Sequence, residues 1–196
     1  MNQKNPDLVW TWEPLYDTFL ISERSLGKSN NIPITLFQVP LGCVGSGFYG
    51  AKTESETNLH QPCQLETPNQ FVLFGFSAAV SELTGKEDKD AIRQGVFKFI
   101  LGNLILLELP MTLIPINPSE KSEFFDNKGG MKDERIEEIP YKTGFYYLCP
   151  DGNSLLLEWQ QRFKVEIKYP EGIVPLPSGK DCRFSIFLVG LHGRYR

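Results

Sequence analysis

Gly95-Val-Phe-Lys-Phe-Ile-Leu-Gly-Asn-Leu-Ile-Leu-Leu-Glu-Leu109 holds two β-rich runs joined by Gly102-Asn103. Gly and Asn readily take the positive φ angles of a two-residue hairpin turn, and the flanking branched and aromatic side chains suit a pleated surface. The stretch therefore predicts antiparallel strands on either side of the turn. Outward from it, the chain shows hardly any period other than that of a strand, which points to an all-β sandwich.

On the N-terminal side, Leu8–Trp12 and Tyr16–Ile21 are short β-prone runs separated by Glu13-Pro14, readable as an N-terminal arm or as opening strands within residues 1–30. Ile32–Val39 predicts a strand, with Pro33 near its start, where the missing N–H does least damage, and Pro40 ending it. Residues 42–69 have the Gly- and Pro-containing, polar composition of a long surface connection. Gln70–Ser77 is a near-continuous apolar run, as expected of a strand buried on both faces or touching another subunit. Thr84–Gln94 is the sole helical segment, with Asp88 placed to cap a turn or two that runs to Arg93.

On the C-terminal side, Pro110–Pro115 bends into another extended run, and Asn117–Glu138 reads as a mobile charged excursion around Gly129-Gly130. Thr143–Cys149, the turn Pro150-Asp-Gly-Asn153 and Ser154–Gln160 predict a second hairpin. Arg162–Lys168 alternates strictly, so Phe163, Val165 and Ile167 face a core while Lys164, Glu166 and Lys168 face water. Cys182–Val189 closes the fold. Roughly eight to ten strands at sandwich-like spacing, with no βαβ alternation, place residues 31–196 in one domain.

Composition agrees. The chain has 196 residues, 41% of them hydrophobic, with 14 Phe, 7 Tyr and 3 Trp, enough large side chains for a core without staples. A net charge of −4 provides no broad basic field, so strong nucleic-acid binding is not expected. The polar start, Met1–Asp7, has no apolar h-region, and no run approaches the ~18 apolar residues of a membrane span. Cys43, Cys63, Cys149 and Cys182 are scattered, which fits reduced thiols, with Cys149 and Cys182 expected to be buried in strands.

Chemistry is harder to find. Gly45-Ser-Gly-Phe-Tyr-Gly50 matches a dinucleotide-binding glycine pattern, but Ala51–Asn58 has no apolar helical face, so a flexible Gly-rich loop is expected. His60 and Cys63 supply two ligand types suited to zinc, yet a closed site needs about four, and only His192 and the other cysteines remain to complete one. A cysteine nucleophile would need one of the two histidines, His60 and His192, as its base, as in a pairing of Cys63 with His192. Neither set amounts to a site, and no catalytic, cofactor-binding or metal residue is assigned. Gly190–Arg196 concentrates positive charge just past a strand, as a solvated terminus or a contact to an acidic partner.

From Thr57 to Arg196 the order of features resembles the jelly-roll virion proteins of tailless icosahedral bacteriophages. The matching pieces are Thr57-Asn58 and Gln64-Leu65 ahead of Phe71–Phe76, then Gly95–Asn103 followed by Pro110 and Ile114-Pro115, and lastly Phe163–Val165, Phe184–Leu188 and Gly190–Arg194. The resemblance implies a jelly roll of two antiparallel sheets with long surface loops and at most one or two short helices. It also implies a non-enzymatic capsid subunit, found in the virion, that assembles with copies of itself and with other virion proteins. A Trp10 and Trp12 arm would then clamp a neighbour. Two other readings stand beside it: a carbohydrate- or ligand-binding sandwich with a groove lined by Trp10, Trp12 or Tyr49, and a small metal-dependent cupin-like enzyme dependent on Cys63.

Overall fold

A computed structural model describes residues 8–22, 33–81, 83–116, 145–148, 154–169 and 176–195, which contain ten strands and one α-helix. The chain opens with β1 (Leu8–Trp12) and β2 (Leu15–Ile21), followed by β3 (Ile34–Leu36) and β4 (Gln70–Val80). Helix α1 (Lys86–Arg93) leads into β5 (Val96–Leu101) and β6 (Leu104–Pro110), and a 3₁₀ turn covers Met111–Leu113. β7 (Tyr146–Tyr147), β8 (Leu155–Glu158), β9 (Phe163–Lys168) and β10 (Cys182–Tyr195) complete the order.

These strands form two antiparallel sheets. In one, β10 is flanked on one side by β1 and β2 and on the other by β4, whose far edge takes β7 and β8; in the other the order is β3-β9-β5-β6. The logic is a nested hairpin. β5 pairs with β6, β4 with β7 and β8, β3 with β9, and β2 with β10, so the first half of the chain is zipped against the second. Rolling that ribbon adds the pairings of β4 with β10 and of β5 with β9, which gives a jelly roll.

The Gly102-Asn103 turn is the tip of the ribbon. Leu101 faces Leu104 across it, and Gly102 takes φ +60 at the first central position, where a II′ turn places its glycine. Between the sheets, Phe76 packs on Phe97 and Phe99 at 5.0 and 5.2 Å between ring centroids, and Phe37 meets Phe163 at 5.7 Å. All five rings are at most 1% exposed, and burying each contributes about 1.5–3 kcal/mol. The alternation of β9 is as expected, with Phe163, Val165 and Ile167 inside and Lys164 paired to Glu166 on the wet face.

Several expectations are corrected. The apolar run of β4 is near-continuous because a bulge interrupts its pairing with β10: Val189 faces Gly75 and Gly190 faces Leu73, leaving Phe74 over. The extra residue moves the inward set from Phe71 and Leu73 to Phe76, Ala78 and Val80. β7 and β8 are not a hairpin. Both pair antiparallel with β4, so they are successive segments of one edge strand; the turn at 150–153 lies outside the described residues. β3 stops at Leu36 because buried Phe37 takes φ +66. Within the expected extended run of Pro110–Pro115, Met111–Leu113 forms a 3₁₀ turn. α1 starts at Gly85 with no side-chain cap; Asp88 is buried and accepts the Ser178 N–H instead. The charged segment 117–138 and Cys149 lie outside the described residues.

Candidate functional site

β10 continues through Gly190, Leu191, His192 and Gly193 to Tyr195, so the basic end is part of a sheet rather than a solvated tail. There it pairs with β1, which sets Trp12 opposite Leu191 and Trp10 opposite Gly193. Leu191 in turn faces Val72, and Val72 faces Leu156. Four apolar side chains thus line one rung across the outer face of the sheet, where residues opposite each other share a face. Trp12 also meets Phe74 edge-on at 5.4 Å.

This stripe ends on a flank that carries the edge strand of each sheet among the described residues. β4 lies over β5 through Phe76, and β2 lies against β3, so the β7/β8 edge and the β6 edge occupy the same side of the sandwich. Tyr147 and Leu156 are exposed on the first edge, at 49% and 42%, and Leu104, Ile105 and Leu106 on the second, at 63%, 47% and 37%. The β6 row exists because Leu106 is an extra residue: Phe99 faces Leu107 but Ile100 faces Ile105. An exposed apolar edge with unpaired backbone groups is a template for pairing with another chain.

A second cluster is polar. Cys43–Lys52 folds into a small hairpin, closed by the Gly42 and Lys52 N–H groups donating to the Lys52 and Cys43 carbonyls and by a Val44–Ala51 bridge. The glycine pattern is therefore a built turn, with Ser46 and Gly47 at φ +53 and +83, and it opens no helix. It delivers Lys52 to Asp17 of β2. Their Nζ and Oδ1 atoms are 2.5 Å apart with both side chains 0% exposed, and Asp17 Oδ2 accepts the Phe37 N–H at 2.6 Å. Burial pushes the Asp17 carboxyl up and the Lys52 ammonium down, toward the neutral forms of both.

Nearby, Arg183 pairs with Glu56 at 3.1 Å and lies over the Phe48 ring. Hydrogen bonds from Thr53 and Ser55, together with Arg183, hold Glu56 below the usual carboxylate range despite its burial. Phe48, Thr53, Glu56, Arg183 and exposed Tyr49 line an open depression of about 380 Å³. Residues 42–69 are thus only partly a surface connection, because Lys52, Glu56, Thr57, Leu59 and Leu65 are buried.

The sequence candidates do not converge. Trp10 and Trp12 share β1, whereas Tyr49 lines the depression at Arg183, near the opposite end of β10, about 30 Å away by strand rise. Cys63 sits among Lys164, Arg162 and Asp17, and burial pushes its thiol up, away from a reactive thiolate. His60 is exposed and is an electrostatic neighbour of His192. Among the described residues no group of three His, Cys, Asp or Glu side chains could hold a metal ion. Cys43, Cys63 and Cys182 are free thiols, and Cys182 is buried as expected. Asp17 was legible as an acid on an otherwise apolar inward stripe; Lys52, in a polar loop, carried no such signal.

No protein-family model, no characterised protein and no solved structure matches this chain. No helix among the described residues is long and apolar enough to cross a membrane.

Proposed function

We propose that this chain is a virion structural protein, a capsid subunit that assembles with copies of itself into an icosahedral shell. The observation behind the reading is the apolar flank: a jelly roll with exposed leucine, isoleucine and tyrosine gathered on the edge strands that both sheets have among the described residues. Jelly rolls also serve as lectins and cupins, so the fold alone does not choose among them. An exposed apolar row along an edge strand favours strand-to-strand contact between subunits over capture of a small polar ligand. The partners are then other copies of the chain and further virion proteins, and the site of action is the virion.

Light scattering and electron microscopy of the purified protein across a concentration series test this. Symmetric assemblies are expected, and the double substitution L104D/I105K should convert them to folded monomers. A wild-type protein that stays strictly monomeric at high concentration would sink the proposal. One observation favours a second reading as a carbohydrate-binding module: Trp10 is 39% exposed and shares its rung with Gly193, Gln70 and Glu158, an aromatic platform beside polar groups. Glycan-array binding that is lost in Trp10→Ala would support it, and an array without hits would exclude it.

A further inference from the structure

We infer that Lys52 and Asp17 are placed to close an intramolecular isopeptide bond, a covalent cross-link between β2 and the Cys43–Lys52 hairpin. The inference does not depend on the capsid reading. Three features of the geometry carry it.

First, an amine and a carboxyl are held in direct contact, 2.5 Å apart, by elements that leave neither side chain any exposure. Fixing two reacting groups in one geometry corresponds to effective concentrations of about 10⁵–10⁸ M. Second, the carboxyl is already polarised as an acyl acceptor. Oδ2 accepts the Phe37 N–H at 2.6 Å. Donors on the oxygen where negative charge develops stabilise a tetrahedral intermediate. Third, the site is dry, and burial favours the neutral amine and neutral acid, the forms that react.

The step balances without a co-reactant. The ammonium passes one proton to Asp17 Oδ1, and the freed Nζ lone pair adds to Asp17 Cγ. The Phe37 N–H holds Oδ2 as its charge grows, and the Cγ–Oδ1 bond breaks. Oδ1 leaves with two protons that came from the nitrogen. The products are a secondary amide, whose carbonyl oxygen is the former Oδ2, and one water released to solvent.

Intact-mass spectrometry of the purified full-length chain under denaturing conditions tests this. The wild-type protein should be lighter than its sequence by the mass of one water. Tryptic digestion should yield one branched peptide joining the segments that contain Asp17 and Lys52. Lys52→Arg and Asp17→Ala should each show the full sequence mass. Because the wild-type mass decides the matter, poor folding of either variant leaves the test intact. A wild-type chain at full sequence mass after prolonged incubation overturns the inference. So does a water loss with no branched peptide, the outcome if Asp17 instead cyclised on its own backbone.

Discussion

In a chain whose Asp17–Lys52 amide has not closed, removing one partner leaves the other polar group buried and unpaired. Lys52→Met is expected to cost about 3–5 kcal/mol, read as a lower urea midpoint at unchanged slope. Removing both charges in D17L/K52M should recover part of that loss. The shortfall is set by the Phe37 N–H, which loses its acceptor at a cost of about 1–3 kcal/mol. His192 gives a prediction in pH. Its Nε2 is buried without a hydrogen-bond partner among the described residues, its ring lies edge-on to Phe71, and burial together with Arg194 holds its pKa below the ordinary histidine value against the opposing pull of Glu13 and Glu66. Above about pH 6.5 the imidazole is neutral in both folded and unfolded chains and contributes no pH dependence. As the pH falls below that value the unfolded chain binds the proton first, so stability drops by up to about 1.4 kcal/mol per pH unit until the folded histidine also titrates. Denaturant melts between pH 7 and 5 should show this slope in the wild type and lose it in His192→Phe.

Elements were legible where their pattern is set locally and illegible where a neighbour sets it. β9 reads directly, because one face is wet and the period of two survives in the residue types. The β5–β6 hairpin reads because Gly102 sits where a positive φ is needed, and Gly102→Val is expected to cost about 1–2 kcal/mol, measurable by thermal melting. β4 hid its alternation because one bulged residue changes the parity of the inward face midway, and Trp12 half-covers the outer face with a further aromatic contact. The β7–β8 segment misled for a different reason. Pro150-Asp-Gly-Asn153 has the composition of a chain reversal, yet pairing with β4 aligns both segments in one direction, and no residue within them records that partner. The basic end of β10 likewise looked like a tail, because its glycines and charges describe a loop until β1 pairs with it.

For the whole molecule, two sheets and a hairpin tip could be read from the chain, but the order of nesting could not. That order depends on pairings such as Thr18 with Ser185, whose hydroxyls meet at 2.7 Å across a separation of 167 residues. The apolar flank is also a property of the whole, since it exists only once the two sheets are stacked. The placement of β10 has a consequence for synthesis. As the central strand of its sheet it receives β1, β2 and β4, and it follows all three in chain order. While the chain is still on the ribosome, the tip hairpin and its partner β9 can form, but three strands wait with open edges until residues 182–195 emerge. A released chain truncated after Asp181 should therefore be protease-sensitive across β1, β2 and β4 while resistant across β5, β6 and β9. Equal protection of both groups in limited proteolysis would show that the first sheet assembles without its centre.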